Sequence, residues 1–436
     1  MTNIPVVALI GRPNVGKSAL FNRLAGGDAA IVTSQAGTTR DRNFARAEWN
    51  GRTFWLVDTG GLTDDPSVPM DVEIRRQVMQ AIAEADVLLF VVDAQAGIHP
   101  QDERVLEILR ESGKPWLVAA NKVDDPRTAD HYEFYNLGAA EVHPVSAKNG
   151  KGSGDLLDAL VERFPERMAE ESDALHVAVV GRPNVGKSSI VNRLLGEERL
   201  VVSATSGTTR DAIDTPMQYH GRTLVFIDTA GLRRQSKVDE GIEFYSTLRT
   251  RRAIERADVC VLVIDATEGL ENQDLRIATM AWERGAGLIL VVNKWDLVEK
   301  GDKTADVFRK NAGEKAPFLR YVPFLFTSAL TGQRVMKLLD TIIAVQGERE
   351  RRITTARVNE RLGELLARLQ PPQAAGQEVK LNYATQVEVE PPTFAIFGNH
   401  PELIAENYLR YLQNGFRESW GFMGSPLRIV LRRKAA

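Results

Sequence analysis

The chain has 436 residues, of which 43% are hydrophobic, and this length and composition fit roughly three globular domains. Its formal net charge of −3 at pH 7 argues against a protein that coats nucleic acid by bulk electrostatics. The single cysteine, Cys260, excludes an internal disulfide, and its place in an apolar run predicts a small buried core residue.

The first motif, GRPNVGKS, follows a predicted strand at residues 6–10 and recurs letter for letter 170 positions later, after a second predicted strand at residues 177–180. It fits G-x-x-x-x-G-K-[ST], the loop whose backbone N–H groups surround a phosphate, whose lysine reaches the outer phosphates and whose hydroxyl binds Mg²⁺. Each copy leads into a predicted helix, and the dipole at a helix N-terminus favours an anion. The duplication predicts two nucleotide sites, whose candidate phosphate-loop residues are Gly11, Asn14, Val15, Gly16, Lys17 and Ser18, and Gly181, Asn184, Val185, Gly186, Lys187 and Ser188.

A polar segment containing GTTRD comes next in both copies, at residues 37–41 and 207–211, and is typical of a mobile loop. A predicted strand at residues 53–57 then ends in Asp58-Thr59-Gly60-Gly61, and its counterpart at residues 224–227 ends in Asp228-Thr229-Ala230-Gly231. In open α/β sheets, ligands bind at the carboxyl edge of the strands. We therefore expect Asp58 and Asp228 to reach a metal ion held by the phosphate loop.

A base-reading motif follows in each copy, after the near-continuous apolar runs 87–93 and 259–265 that are typical of strands buried on both faces. Asn121-Lys122-Val123-Asp124 and Asn293-Lys294-Trp295-Asp296 each come directly after a further apolar strand. A carboxylate there can accept hydrogen bonds from N1–H and the 2-amino group of guanine, a donor pair that adenine lacks, and losing such a buried match costs orders of magnitude in discrimination. The motif predicts guanine-specific pockets at Asp124 and Asp296.

Ser146-Ala147 and Ser328-Ala329 each follow a short predicted strand, so that a backbone N–H can meet the guanine carbonyl. The offset between the two copies grows here from 172 to 182 residues. This change locates a ten-residue insertion in the second copy around residues 303–315.

The predicted organisation has four parts. Residues 1–165 form a first nucleotide domain, 166–175 an acidic linker, 176–350 a second nucleotide domain and 351–436 a C-terminal domain. The fold class is α/β, with two doubly wound, mostly parallel sheets followed by a small α+β layer. The C-terminal pattern predicts α-β-β-α-β, with a helix at 355–369, strands at 378–389 and 393–397, a helix at 401–414 and a strand at 426–431.

The C-terminal domain carries 12 Lys or Arg against 8 Asp or Glu, and this mild excess suits phosphate contact. Gly421-Phe422-Met423-Gly424 superficially matches the G-x-x-G that clamps nucleotides in KH domains. Its position before the last strand, rather than between two helices, favours a turn. The terminal triplet Arg432-Arg433-Lys434 is more typical of a solvated tail than of a binding site.

The ordered motifs GRPNVGKS, GTTRD, DTGG or DTAG, NKVD or NKWD, and SAK or SAL resemble those of translation-factor-class P-loop GTPases, and their tandem duplication is similar to the Der (EngA) family. The resemblance covers nearly the whole chain and implies two GTPase domains followed by a KH-like domain. It also implies a bacterial GTPase that binds GTP and GDP, uses Mg²⁺, associates with the large ribosomal subunit and its rRNA, and acts in large-subunit maturation. Because no apolar run reaches about 18 residues, we expect a cytoplasmic protein without membrane contact. We also expect a monomer.

The resemblance assigns a role to each matching residue. Lys17 and Lys187 would contact the outer phosphates, while Gly61 and Gly231 would sense the γ-phosphate through their N–H groups. Mg²⁺ would be held by Ser18 and Ser188, by Asp58 and Asp228 through water, and by Thr39 and Thr209. Because Thr38 and Thr208 are adjacent, the choice of switch threonine stays open by one position. The residues expected to read the base are Asn121, Lys122, Asp124, Ser146 and Ala147, and Asn293, Lys294, Asp296, Ser328 and Ala329.

Leu62 and Leu232 stand where Ras-type GTPases carry a water-orienting glutamine, so intrinsic hydrolysis should be slow unless another group orients the water. In related GTPases an asparagine at the position of Asn14 and Asn184 accompanies a K⁺ ion beside the phosphates, and a second cation could stabilise the transition state as an arginine finger does. An asparagine that only stabilises the loop is the alternative. At the level of function, the alternative is a nucleotide-regulated RNA- or ribosome-binding module in which hydrolysis is incidental.

Overall fold

The computed structural model of the protein describes residues 4–26, 44–59, 75, 78–79, 81–82, 85–124, 129–165, 174–196, 214–229, 243–299, 301, 304–372 and 378–433. The chain forms two compact units. The first comprises residues 1–170 with 240–245, and the second comprises residues 171–239 with 246–436. The second unit therefore contains both the second nucleotide domain and the C-terminal domain.

The first unit contains a six-stranded sheet in the order β2-β3-β1-β4-β5-β6, in which every neighbouring pair is parallel except β2 with β3. Its strands are β1 (Val6–Ile10), β2 (Phe44–Trp49), β3 (Arg52–Asp58), β4 (Val87–Asp93), β5 (Trp116–Asn121) and β6 (Val142–Pro144). Its helices in the described ranges are α1 (Lys17–Gly26), α2 (Pro100–Glu111), the 3₁₀ helix Ala129–Leu137 and α3 (Ser153–Glu162).

The second unit repeats this arrangement in the order β8-β9-β7-β10-β11-β12, again with one antiparallel pair, β8 with β9. Its strands are β7 (Leu175–Val180), β8 (Thr215–Tyr219), β9 (Arg222–Ile227), β10 (Val259–Asp265), β11 (Gly287–Asn293) and β12 (Phe324–Phe326). Its described helices are α4 (Lys187–Leu195), α5 (Glu243–Arg256), which belongs to this unit from residue 246 onward, α6 (Asn272–Arg284), α7 (Thr304–Lys315), α8 (Lys337–Glu350) and the 3₁₀ helices Trp295–Leu297 and Pro317–Tyr321.

The apolar runs identified in the sequence form the centre of each sheet. Every residue of β4 and of β10 is buried, as expected for parallel strands covered on both faces. Cys260 is fully buried in β10, which agrees with the prediction of a small core residue. The fold class predicted from the sequence is thus confirmed, and the insertion predicted around 303–315 contains α7.

Both sheets end in an edge strand that the apolar pattern did not predict. The strands β2 and β8 pair with β3 and β9 through two-residue turns at Asn50-Gly51 and His220-Gly221, in which all four residues have positive φ. Turns of this kind match the right-handed twist of an antiparallel pair. Because an edge strand pairs on one side only, its residues FARAEW and TPMQY do not form the long apolar runs of the inner strands.

Over its described residues, the C-terminal domain has a three-stranded sheet in the order β13-β14-β15 and two α-helices, in the predicted order α-β-β-α-β. Its elements are α9 (Thr355–Arg368), β13 (Leu381–Val389), β14 (Pro392–Gly398), the 3₁₀ helix Pro401–Leu403, α10 (Glu406–Trp420) and β15 (Arg428–Arg433). The predicted helix at 401–414 was misplaced, because Pro401 starts only one 3₁₀ turn. The helix α10 instead continues to Trp420, since Phe416 and Trp420 extend its apolar stripe into the core.

The turn before β15 joins the C-terminal domain to the second nucleotide domain. The Gly424 N–H donates to Tyr321 O at 2.6 Å, and Leu288 N–H donates to Gly424 O at 2.7 Å. Buried Arg417 donates to the carbonyls of Phe422 and Ser425. The G-x-x-G-like segment is therefore a turn, as expected, and its backbone contacts the second nucleotide domain.

Among the helices in the described part of the chain, none combines the length and the apolar character needed to cross a membrane.

Candidate functional site

The first phosphate loop lies between β1 and α1, at the carboxyl edge of the first sheet. Lys17 opens α1 and is 94% buried, and its Nζ donates to Gly11 O at 2.8 Å and to Arg12 O at 2.9 Å. Burial lowers the pKa of this ammonium, and the charge of Asp58 opposes that shift. The loop is thus curled around its own lysine, with a cation held where the outer phosphates of a nucleotide are expected.

The second loop repeats this geometry. Lys187 Nζ donates to Gly181 O at 2.9 Å and to Arg182 O at 2.6 Å. Burial lowers the pKa of Lys187 to about 8, and the nearby charge of Asp274 acts in the opposite direction. An anion bound at this lysine would raise its pKa again, because an opposite charge at close range favours the charged form.

The last glycine of each loop is required for steric reasons. Gly186 has φ +97°, and a Cβ placed there would lie 2.2 Å from Asn293 Nδ2, while at Gly16 the corresponding values are +94° and 2.3 Å from Asn121 Nδ2. Only glycine lets each loop lie so close to the strand end that carries the NKxD asparagine.

The predicted metal ligands of the first site lie together. Ser18 Oγ donates to Asp58 Oδ2 at 2.5 Å, and Asp58 is buried at the end of β3, next to β1. A hydroxyl and a carboxylate beside the lysine of the loop form an oxygen donor set that fits Mg²⁺, which is bound by one or two carboxylates together with substrate phosphates. In the second site Asp228 follows β9 with φ +55°, and its N–H donates to Asp214 Oδ1 at 2.9 Å.

The asparagines of the two NKxD motifs join three loops in each domain. Asn121 Nδ2 donates to Val15 O at 2.9 Å, and its Oδ1 accepts from Ala147 N–H at 3.0 Å. In the second domain, Asn293 makes the same two bonds to Val185 O and Ala329 N–H, both at 2.9 Å. The Ala N–H groups that we expected at a guanine carbonyl thus donate to these asparagines, and their contact with guanine stays a prediction.

The lysines of the two NKxD motifs have left-handed backbones and lie along the pocket. Lys122 Nζ donates to Asp93 Oδ2 at 2.6 Å and to Asn14 O at 3.0 Å, and Lys294 pairs with Asp265 at 2.6 Å. Sequence reasoning did not assign the partners Asp93 and Asp265 to the site. They could have been found, because the apolar runs of β4 and β10 both end in an aspartate at the edge where the other motifs meet.

A second pair of contacts also went unpredicted. Arg12 pairs with Asp102 at 3.3 Å, and Arg182 pairs with Asp274 at 3.1 Å. Both carboxylates are fully buried at the start of α2 and α6, where each also accepts a backbone N–H of the helix cap. Burial raises the pKa of Asp102 and of Asp274, and the paired arginine opposes that shift. These pairs anchor the second residue of each phosphate loop to a helix.

The carboxylates that we expect to read guanine have different surroundings in the two domains. Asp124 is exposed, and its Oδ1 accepts from Ser146 Oγ at 3.0 Å and from Asn149 Nδ2 at 3.2 Å. In the second domain Asp296 Oδ1 is buried, and no group in the described part of the chain donates to it. A buried carboxylate oxygen without a donor is costly, and a ligand that supplies N–H groups removes that cost.

The second pocket has a volume of about 650 Å³. Asp296 lines it with two exposed leucines, Leu297 at 63% and Leu330 at 81% exposure. The corresponding residue to Leu330 in the first domain is Lys148. At this position the second site therefore has an apolar side chain that can pack against a planar ring, whereas the first site has a charged side chain.

Several expected site residues cannot be placed. The switch residues Thr39 and Thr209, with the adjacent Thr38 and Thr208, lie outside the described residues. The same holds for Gly61, Gly231, Leu62 and Leu232, and for the linker except its last two residues.

Comparison with known proteins agrees with this geometry. A family described as 50S ribosome-binding GTPase matches residues 6–122 and 176–294, and the KH-domain-like C-terminal family of EngA bacterial GTPase enzymes matches residues 352–432. GTPase Der of Gemmatimonas aurantiaca is 69% identical over 433 residues, covering 99% of both chains. GTPase Der of Desulfitobacterium hafniense is 51% identical, covering 99% of this chain and 98% of its own.

Among solved structures, Era in complex with MgGDPNP and a segment of 16S ribosomal RNA is 23% identical and covers 61% of this chain and 94% of its own, with a TM-score of 0.32. This partial likeness carries no information on function.

Proposed function

The chain belongs to the GTPase Der family, and on that premise we propose that it is a GTP-dependent switch in the maturation of the large ribosomal subunit. It is a GTPase, and its fold comprises two P-loop nucleotide domains and a KH-like domain. The observation that carries the proposal is the presence, in one chain, of two phosphate loops that are each bonded to an NKxD asparagine, together with a domain of net positive charge. The ribosomal partner is supported by the family description, 50S ribosome-binding GTPase.

In each site we propose a separate role for each of the described residues. Lys17 and Lys187 neutralise the outer phosphates, and Asp124 and Asp296 accept the two donors of guanine. Ser18 and Asp58, with Ser188 and Asp228, would hold Mg²⁺, which when bound neutralises charge that develops on the phosphoryl group. The threonines and glycines expected in the switches, Thr39, Thr209, Gly61 and Gly231, complete the proposal on the strength of the family motifs.

Phosphoryl transfer depends mainly on positioning and charge stabilisation. We propose that the buried lysines and the loop N–H groups supply both, and the support for this is that each lysine is already held at its phosphate loop. What the chain lacks, by its sequence, is a polar side chain at Leu62 and Leu232 to orient water. We therefore propose slow intrinsic turnover that is raised by a bound monovalent cation, K⁺, near Asn14 and Asn184.

Cosedimentation with purified ribosomal subunits tests the proposal. We expect the full chain to pellet with large subunits in a non-hydrolysable GTP analogue and to be released in GDP. A variant pair, Lys17→Ala and Lys187→Ala, should lose this nucleotide dependence. Equal pelleting in both nucleotides, or pelleting with the small subunit alone, would contradict the proposed role.

Leu62 and Leu232 favour the competing function, in which hydrolysis is incidental to nucleotide-regulated binding, because their apolar side chains cannot orient water. Phosphate release in the presence of ribosomal subunits and K⁺ separates the two. Stimulated turnover supports the switch, whereas a rate that stays at the level of the free protein supports the binding module.

A further inference from the structure

The sheet of the C-terminal domain has one face packed against its helices. Leu381, Ala384, Phe394 and Ile396 belong to the core formed with α9 and α10. Successive side chains of a strand alternate between the two faces, so Tyr383 beside Ala384 and Phe397 beside Ile396 point to the other face. The register shift in β13 lies between Leu381 and Tyr383 and does not affect this step.

Three residues form a single row across this second face. Tyr383 of β13 lies opposite Phe397 of β14 in the antiparallel register, and Phe397 lies beside Arg432 of β15 in the parallel register. The two rings have centroids 5.8 Å apart and an interplanar angle of 47°. We call Tyr383, Phe397 and Arg432 the aromatic row.

The aromatic row is open to solvent. Tyr383 is 44% exposed, Arg432 is exposed and Phe397 is partly exposed, whereas Phe394 on the other face is fully buried. An aromatic pair that lies outside the domain core is expected at a binding surface, where large rings supply contact area at low entropic cost.

The cation of the row is free for an anionic partner. The ion pairs of the C-terminal domain, taken over its described residues, do not include Arg432. Two carboxylates of the neighbouring segments already have partners, since Glu378 pairs with Lys380 at 3.0 Å and Glu402 with His400 at 3.4 Å. The domain as a whole has four more basic than acidic residues, which favours a polyanion over an acidic or neutral protein surface.

The turn at residues 421–424, which resembles a KH nucleotide clamp, already contacts the second nucleotide domain. Both backbone groups of Gly424 are bonded to the second nucleotide domain, and a Cβ at that residue would lie 2.6 Å from Val345 Cγ2. A nucleic acid therefore needs another surface of this domain.

We propose that the aromatic row is a binding site for single-stranded RNA, with a base stacked on Tyr383 and a neighbouring phosphate paired with Arg432. Exposed aromatic side chains on a sheet stack unpaired bases in other RNA-binding modules, and arginine supplies the phosphate contact. The proposal rests on the proposed ribosomal function and names the surface of the C-terminal domain that would meet rRNA.

The test uses the full-length protein and a fluorescein-labelled single-stranded RNA of about 12 nucleotides, a length suited to a small domain. Tyr383→Leu keeps the apolar character but removes the ring, so we expect anisotropy to show affinity weakened roughly tenfold. Tyr383→Phe should keep near-normal affinity because the ring is retained. Arg432→Gln should reduce the slope of log affinity against log salt by about 0.7, the value for one single-strand phosphate contact.

Two exposed residues outside the row provide matched controls. Tyr132, 60% exposed in the first domain, is replaced by leucine, and Arg410 on α10, which pairs with Glu406, is replaced by glutamine. Both control variants should bind the RNA as the parent does. GTP turnover of all variants should equal that of the parent, which shows that they are folded.

RNA affinity that is unchanged in Tyr383→Leu and Arg432→Gln overturns the inference. If the same variants lose cosedimentation with ribosomal subunits while their RNA affinity is unchanged, the partner of the row is a protein, and the inference is also wrong. In both cases nucleotide-dependent cosedimentation of the parent protein leaves the proposed function standing. If the parent itself fails to cosediment, the proposed function fails, whatever the RNA affinity of the row.

Discussion

Asn293 holds the second phosphate loop, because its side-chain Nδ2 donates to the Val185 carbonyl at 2.9 Å. Asn121 makes the matching bond to Val15 in the first domain. The strand end that is expected to read the base is therefore bonded directly to the loop that is expected to bind the phosphates. Binding at either end of the nucleotide should depend on both.

Replacing Asn293 by alanine should weaken GDP binding at the second site roughly tenfold or more, since it leaves Val185 O and the Ala329 N–H without their partners. Calorimetric titration in a Lys17→Ala background reads the second site alone. Asn293→Asp keeps the acceptor for the Ala329 N–H but loses the donor to Val185 O. The size of its loss of GDP affinity therefore measures how much the bond to the loop contributes. An affinity unchanged by Asn293→Ala would show that the contact does not support binding.

Gly186→Ala should abolish nucleotide binding at the second site and lower the free energy of unfolding by about 2 kcal/mol, because strain at φ +97° adds to a 2.2 Å clash with Asn293. Gly221→Ala is the matched control, since Gly221 has φ +78° and open space around its Cβ position. This control should cost only about 1 kcal/mol and leave GDP affinity unaltered. Denaturant unfolding and GDP titration measure the two quantities, and equal effects of both substitutions would count against the steric argument.

Asp296→Asn should reverse the base preference of the second site. An amide offers guanine only one acceptor and turns a donor toward one of its N–H groups, whereas xanthine, with an oxygen in place of the 2-amino group, can accept that donor. We expect GDP affinity to fall at least about a hundredfold and xanthosine diphosphate to bind more tightly than GDP. Competition binding decides the matter, and retention of guanine preference would refute the assigned role.

Cys260 offers a reporter of the second domain alone. Burial raises the pKa of its thiol to about 12, so the reactive thiolate is negligible in the folded state at pH 8 and appears only on opening. Labelling by a thiol reagent should therefore be slow, and saturating GDP should slow it further in proportion to ligand excess over Kd. Lys187→Ala should remove the effect of GDP, while Lys17→Ala should retain it. Rapid labelling of the native protein would contradict the buried position.

GTP hydrolysis should be faster in K⁺ than in Na⁺ at equal ionic strength. The side chains of Asn14 and Asn184 can be removed without backbone strain by glycine, because both residues have positive φ, 66° and 62°. The double Asn→Gly variant should lose the K⁺ response while keeping its GDP affinity. Should the response persist, these asparagines serve only the left-handed backbone of the loop.

The sequence predicted the inner strands and the order of the motifs because each depends on local pattern: apolar runs for β4 and β10, and fixed spacings for the phosphate loops and NKxD. It did not predict β2 and β8, whose pairing on one side leaves a weak pattern, although the Asn50-Gly51 turn marks the first of them. Contacts between distant segments were the main omission. Arg12 and Asp102 are 90 positions apart, and nothing in either neighbourhood indicates the other.

The identical motifs also concealed a difference between the two pockets. Asp124 and Asp296 stand in the same pattern, yet Asp124 accepts hydrogen bonds from Ser146 and Asn149, whereas Asp296 Oδ1 has no donor among the described residues. Such a difference depends on the residues that follow the Ser-Ala pair, where the two copies diverge. It becomes visible only once the loops are folded against the strand ends.

The bonds of Gly424 to Leu288 and Tyr321 affect how the polypeptide can be dissected. Sequence divides it into three modules, but cutting before residue 351 would expose the N–H at the start of β11, the strand that carries Asn293. A truncated second GTPase domain should consequently be less stable than the same domain in the intact chain. Fragments for biochemical work should therefore keep the second GTPase domain and the C-terminal domain together, which gives two fragments rather than three.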